Sequence, residues 1–87
     1  MAEKNGKFIE FKQVPSAGTT SLHQVYNTEN GSFLGVIKFY GAWRKYVFAP
    51  QPNTIFEPIC LGDITNFLNN LTNAWRAEQQ RKRQAKL

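Results

Sequence analysis

A dense run of aromatic and β-branched residues, broken by glycine near its middle, dominates the centre of this 87-residue chain. It spans Ser32–Pro50 and reads SFLGVIKFYGAWRKYVFAP. Aromatic and β-branched side chains favour β-strands. The pattern predicts a β-hairpin closed by a two-residue type II′ turn, with Gly41 at the first central position that such a turn reserves for glycine.

The predicted turn also decides which side of the sheet each residue faces. It pairs Tyr40 with Trp43 and Ile37 with Tyr46, and a four-residue loop would keep these pairs but change the turn type. Successive side chains of a strand point to opposite faces. The expected core face carries Phe33, Ile37, Phe39, Arg44, Tyr46 and Phe48, and the expected outer face carries Leu34, Val36, Lys38, Tyr40, Trp43, Lys45 and Val47. A register slip of one residue would exchange the two faces.

Shorter runs extend this hairpin into an antiparallel meander of four or five strands. Phe8–Val14 reads as an edge strand, because a proline follows it at once. Leu22–Asn27 reads as the next strand, and Asn30-Gly31 predicts a second hairpin turn after it. Thr54–Phe56 is a short extended segment that can pair back on the second strand of the central hairpin.

The hydrophobic pattern changes to helical spacing after Pro58. It predicts an amphipathic helix over about Leu61–Gln80 that can continue further, with Trp75 as a lid on the core. The apolar stripe consists of Ile64, Phe67, Leu68, Leu71 and Trp75. One sheet with one helix packed on one face is an α+β, two-layer fold. We expect a single domain over residues 1–80 and a basic C-terminal tail over residues 81–87.

The charge of the chain is concentrated at its C-terminal end. The net charge is +5 and the pI is about 9.7. Residues 76–87 hold five basic side chains against a single Glu78, so this segment contributes +4 and the rest of the chain is nearly neutral. A basic segment favours an anionic partner.

The remaining features of the sequence disfavour an enzyme, a metalloprotein and a membrane protein. The lone His23 and the lone Cys60 form no evident dyad, and the six acidic residues form no evident pair. We therefore expect no enzyme, no metal site and no cofactor. No apolar run is long enough to cross a membrane, and the N-terminus lacks the apolar core of a signal peptide. A cytoplasmic protein that does not associate with membranes is the expectation.

Three segments between Leu34 and Leu71 carry a resemblance to other proteins. LGVIKFYGAWRKYVFAP, TIF and CLGDITNFLNNL resemble a pattern in small uncharacterised proteins of phages and prophages. Its most specific parts are Trp43-Arg44 with Tyr46, and Cys60-Leu61 leading into the helix. The resemblance implies a small phage-type product in the host cytoplasm and transfers no functional residue. The element order is also similar to that of sheet-type DNA readers such as the arm-binding domains of phage integrases, an analogy of architecture alone.

Two functions fit these features. The first is nucleic-acid binding, to DNA or RNA, in which cations meet phosphates and rings stack on bases. Its candidate residues are Lys38, Tyr40, Trp43, Arg44, Lys45, Arg76, Arg81, Lys82 and Arg83. The alternative is a protein-interaction module that binds or inhibits a host protein, or forms a homodimer, through the uncovered sheet face. Capture of a small anionic ligand such as a nucleotide is a third option, which no glycine-rich phosphate loop supports.

Overall fold

The fold is known from a computed structural model that describes residues 3–4, 8–16 and 18–85. Five antiparallel strands lie in chain order in one sheet: β1 (Glu3–Lys4), β2 (Ile9–Val14), β3 (Leu22–Asn27), β4 (Phe33–Tyr40) and β5 (Lys45–Pro50). A single helix, α1 (Pro58–Ala85), follows them. The predicted α+β fold, a meander of four or five antiparallel strands with one C-terminal helix on one face, is confirmed.

The fifth strand is not the one that the sequence indicated. β1 supplies it by pairing with two residues of β2, whereas Thr54–Phe56 lies outside the sheet. A turn at Pro52-Asn53, with Asn53 in the left-handed region at φ +64°, leads the chain out of the sheet before this segment. Phe56 packs instead against Phe48, with the ring centroids 5.4 Å apart.

The helix closes the apolar face of the sheet through aromatic contacts. Phe67 stacks on Phe11 with ring centroids 4.0 Å apart and ring planes 2° from parallel. The ring of His23 meets that of Phe67 nearly at right angles, at 5.0 Å. The buried hydrophobic core comprises Ile9, Phe11, Val25, Ile37, Tyr46, Cys60, Ile64 and Phe67. Burial of a large apolar side chain contributes roughly 1.5–3 kcal/mol, so these contacts hold the two layers together.

The register of the central hairpin differs from the predicted one by two residues. Tyr40 pairs with Lys45, and Ile37 pairs with Phe48. Residues 41–44 form a four-residue loop closed by two successive turns, in which the N–H of Trp43 donates to the Tyr40 carbonyl and that of Arg44 to the Gly41 carbonyl. The predicted type II′ turn and its pairs are therefore wrong, and the longer loop does not preserve those pairs.

A shift of two residues leaves the strand faces unchanged, because side chains alternate with a period of two. Ile37 and Tyr46 are buried as predicted, and Phe39 and Phe48 pack against the core. Arg44 was predicted on this core face, but it lies in the exposed loop. Trp43, predicted on the outer face, belongs to the same loop.

A bulge in β4 exchanges the faces of two further residues. Val25 pairs with Gly35, but its neighbour Tyr26 pairs with Phe33, so Leu34 has no partner in the ladder. Phe33, predicted in the core, lies on the outer face beside the ring of Tyr26 at 5.5 Å. Leu34, predicted on the outer face, packs against the core.

Helix α1 begins earlier and ends later than the expected Leu61–Gln80. Pro58 takes the first helical position, where its missing N–H is not needed. The carboxylate of Glu57 accepts a hydrogen bond from the backbone N–H of Cys60 at 2.7 Å, and this bond holds the pKa of Glu57 below its ordinary value. Of the predicted tail, residues 81–85 are helical, and Lys86 and Leu87 lie outside the described residues.

A buried hydrogen bond fixes α1 beside β5. The backbone N–H of Tyr46 donates to Thr72 Oγ1 at 3.0 Å, and Thr72 is buried. The phenolic oxygen of Tyr46 accepts a bond from the Ser21 N–H at 3.0 Å, and the Ser21 hydroxyl lies 2.9 Å from His23 Nε2. Both the backbone N–H and the phenolic oxygen of Tyr46 are thus hydrogen-bonded inside the protein. Across the part of the chain that the structure describes, no helix has both the length and the apolar character that a membrane crossing requires.

Replacement of Gly35 by alanine should destabilise the fold. Its φ is +154°, and a Cβ there would lie 2.5 Å from the carbonyl oxygen of Ala49. We expect Gly35→Ala to lower the free energy of unfolding by about 2–4 kcal/mol, measured by urea denaturation followed by circular dichroism. Gly41→Ala is the matched control, because a Cβ there meets nothing within 4 Å. Equal effects of the two substitutions would contradict the close approach of Gly35 to Ala49.

The bond between Tyr46 and Thr72 predicts a difference in stability between two variants of Thr72. Thr72→Val keeps the shape of the side chain but removes the acceptor, which leaves a buried N–H without a partner at a cost of about 1–3 kcal/mol. Thr72→Ser keeps the hydroxyl and should cost less. The comparison requires the same denaturation experiment, and a serine variant no more stable than the valine variant would show that the bond contributes nothing.

Candidate functional site

A hollow of about 420 Å³ lies between the loop of the central hairpin and the C-terminal half of α1. Trp43 and Arg44 line it from the loop, and Trp75, Arg76 and Arg83 line it from the helix together with two glutamines. The lining residues of the loop precede those of the helix by at least 31 positions in the sequence. The docking of α1 beside β5 brings three guanidinium groups and two indoles to one place.

Arg44 has a backbone conformation that is unusual for its type. Its φ is +54°, in the left-handed region that costs an ordinary residue roughly 1–2 kcal/mol. The strained backbone directs the side chain over the helix, where the guanidinium carbon lies 5.5 Å from the centre of the Trp75 ring. Strain of this kind persists where the surrounding structure holds it, and it clusters at functional sites.

Trp75 joins the core to this hollow. Its ring packs against Phe39 with centroids 4.7 Å apart, and the other contact of the ring is the cation of Arg44. The side chain is half-buried. It therefore acts as the lid that the sequence predicted, and it also forms a wall of the hollow, which the sequence did not reveal.

Trp43 presents its indole to solvent at the tip of the loop. Its side chain is 64% exposed, a high value for the largest apolar residue. The ring is supported edge-on by Tyr40, with centroids 4.9 Å apart. An exposed tryptophan held by a neighbouring ring is preorganised for contact with a flat or apolar ligand surface.

A second hollow extends the first along the boundary between α1 and β5. Lys45 and Arg76 line it, together with Asn69 and Asn73. Arg76 lines both hollows, which therefore adjoin one another. We name this surface the cationic groove and define it by Trp43, Arg44, Lys45, Arg76 and Arg83. Among the described residues, no carboxylate lines either hollow, so the four cations of the groove meet no opposing charge there.

The remaining predicted site residues lie elsewhere. Lys38 and Tyr40 are exposed on the outer sheet face. Arg81 forms an ion pair with Glu78 on the helix surface, which lowers the pKa of the Glu78 carboxyl. Lys82 lines a different hollow with Glu78 and Tyr46. Five of the nine candidates therefore come together, and four do not.

Sequence reasoning missed the helix residues that complete the groove. Asn69, Asn73 and Gln80 are not among the nine candidate residues that the sequence indicated. Their signal lies in their spacing, because positions 69, 73, 76, 80 and 83 follow intervals of four and three and so form a single stripe along a helix. That stripe becomes meaningful only once the neighbouring hairpin loop is known.

The groups that line the groove suit the binding of an anionic ligand. They are guanidinium, ammonium and indole groups, which can meet phosphate oxygens and flat ring surfaces. Cys60 lies in the core, where burial raises the pKa of its thiol and so disfavours the reactive thiolate. Within the described ranges, no group of three or more His, Cys, Asp or Glu side chains could hold a metal ion.

Comparison with curated proteins identifies a relative in Acholeplasma phage L2, described as an uncharacterized 9.3 kDa protein. It is 32% identical to this chain over 72 residues, which cover 82% of this chain and 92% of the relative. No family model and no solved structure matches the chain. The identity and the coverage show that the chain belongs to the same family as this small phage protein, and the resemblance to phage proteins is confirmed.

The left-handed backbone of Arg44 predicts which of two variants at this position is the more stable. Arg44→Ala keeps the strained backbone and loses the contact with Trp75, which is worth about 0.5–1 kcal/mol at an exposed site. Arg44→Gly loses the same contact but relieves about 1 kcal/mol of strain. We expect the glycine variant to unfold at a higher urea concentration than the alanine variant. The reverse order would contradict the left-handed conformation in solution.

Proposed function

We propose that this member of the phage-protein family binds nucleic acid through the cationic groove, without catalysing a reaction. One observation carries the proposal: the side chains of Arg44, Arg76 and Arg83 converge with an exposed indole in a hollow that no described carboxylate lines. Basic residues are common on protein surfaces. Convergence of basic residues beside a supported aromatic ring is what the binding of a phosphate backbone requires.

The guanidinium groups suit phosphate oxygens for geometrical reasons. Arginine presents a planar fork of donors that matches a phosphate bidentately, and it remains charged at every physiological pH. Arg44 is already oriented by its contact with Trp75, so less side-chain entropy is lost when it binds. Lys45 continues the line of positive charge along the edge of β5.

The indole of Trp43 supplies the apolar part of the interaction. Nucleic acids carry flat bases and partly apolar sugars between their phosphates, and stacking of a base on an aromatic ring contributes roughly 1–3 kcal/mol. The position of Trp43 at the mouth of the hollow puts the ring next to the cations. Because its relative is a phage protein, we propose the cytoplasm of the host cell as the location of this activity.

The test is binding of the purified protein to fluorescently labelled DNA and RNA, single- and double-stranded, measured by anisotropy between about 50 and 200 mM salt. Four groove cations predict that the logarithm of the binding constant falls with the logarithm of the salt concentration, with a slope of about −3 to −4. Arg76→Ala should weaken binding and make the slope shallower by about one.

Lys12→Ala is the matched control for this experiment. Lys12 is an exposed cation on β2, outside the groove, so its loss changes the net charge equally without touching the site. Equal effects of Lys12→Ala and Arg76→Ala would show that the binding arises from general charge attraction. They would contradict binding at the cationic groove. Absence of binding to every nucleic acid at low salt would overturn the proposal.

Protein interaction through the outer sheet face is the second candidate. No helix or strand in the described part of the chain covers this face, which leaves Tyr40 at 42% and Phe33 at 36% exposure. Aromatic residues of this kind are enriched where proteins bind one another. A host protein, or a second copy of this chain, would be the partner. A stronger effect of Tyr40→Ala on self-association or host-protein binding than on nucleic-acid binding would favour this candidate.

A further inference from the structure

The exposed side of α1 carries a regular stripe of amide and guanidinium groups. Its residues lie at intervals of four and three along the helix: Asn69, Asn73, Arg76, Gln80 and Arg83. We name this surface the helix stripe. It contains neither a carboxylate nor an aromatic residue, and over its length of about 21 Å it borders the cationic groove.

The asparagines of this helix have no structural explanation. Asn66, Asn69, Asn70 and Asn73 are all exposed, and none of their side chains has a hydrogen-bond partner among the described residues. Asparagine in a helix interior is less favourable than alanine by about half a kcal/mol or more. The chain thus carries this unfavourable residue at two positions of the helix stripe, Asn69 and Asn73, with no compensating hydrogen bond among the described residues.

We propose that the helix stripe lies in the major groove of double-stranded DNA and reads base edges there. Asparagine and glutamine can bond bidentately to adenine, a contact that distinguishes base pairs in the major groove. Arg76 and Arg83, on the side of the helix stripe that lines the cationic groove, keep their phosphate contacts. The major groove is about 12 Å wide, and an α-helix with its side chains is about 10–12 Å across. This inference rests on the proposed function and names its ligand.

The position of the cationic groove completes the arrangement. With the stripe facing the bases, Arg44 and Lys45 lie to one side of the helix, where the phosphates that border a major groove would pass. The loop thereby supplies contacts that position the helix, and the stripe supplies contacts that specify sequence, which is the usual division of labour in DNA recognition.

Duplex DNA fits the stripe better than the other nucleic acids. Proteins that hold single strands do so on successive aromatic side chains. The stripe adds no ring to the exposed indole of Trp43, which on a duplex would pack on a sugar. The major groove of duplex RNA is too deep and narrow for side chains to read. At about 3.4 Å per base pair, a stripe of this length can reach at most about six base pairs.

The experiment selects binding sites from a pool of random duplex DNA with the purified full chain, and then measures affinity for an enriched site and for its shuffled sequence. We expect an enriched motif of at most about six base pairs, bound at least tenfold more tightly than the shuffled duplex. Asn69→Ala should reduce this ratio by about tenfold at the base pair that it reads. Alanine favours the helix, so the variant should fold.

Asn70→Ala is the matched control, since it removes the same amide from the same exposed helix about 100° around the axis from Asn69. It should leave the ratio unchanged. Three results would each contradict the reading of bases by the helix stripe while leaving nucleic-acid binding intact. They are equal losses in the two variants, binding to duplex DNA without any enriched sequence, and tighter binding to a single strand or to RNA. Failure to bind any nucleic acid would instead overturn the proposed function itself.

Discussion

The hydrogen bond from the backbone of Tyr46 to Thr72 is the contact on which the candidate site depends. Stacking of Phe67 on Phe11 holds the helix against the sheet, but stacked rings alone leave an element room to slide. A buried N–H needs its acceptor, so this bond fixes where along β5 the helix lies. One turn further along, Trp75 reaches the hairpin and Arg76 lines the groove beside Arg44.

The fold was largely predictable because its patterns are local. Alternation along β4 and β5 and helical spacing after Pro58 identified a meander followed by a helix, and period-two alternation kept the core residues Ile37 and Tyr46 correct despite a register error. Gly35 shows what local patterns miss. It appeared to be one strand residue among others, but it approaches Ala49 of β5 closely and adjoins a bulge against β3 that reverses the start of β4.

The candidate site was predictable in composition but not in arrangement. The sequence singled out Trp43, Arg44 and Arg76 as binding residues, yet it placed the first two on strands and assigned Arg83 to a tail beyond the helix. Their convergence comes from a four-residue loop with a left-handed arginine and from the docking of a helix 28 residues long. Both depend on contacts between distant parts of the chain, which neither composition nor periodicity encodes.

The central claim is that the surface between the hairpin loop and α1, and not the outer sheet face, receives nucleic acid. The most direct measurement is a titration of isotopically labelled protein with a short DNA duplex, followed by nuclear magnetic resonance of the backbone amides and the indole N–H groups. The account predicts shift changes concentrated at Trp43, Arg44, Asn73 and Arg76, with Lys38 and Val36 unaffected. Changes centred on Lys38 and Val36, with the Trp43 indole unmoved, would contradict it.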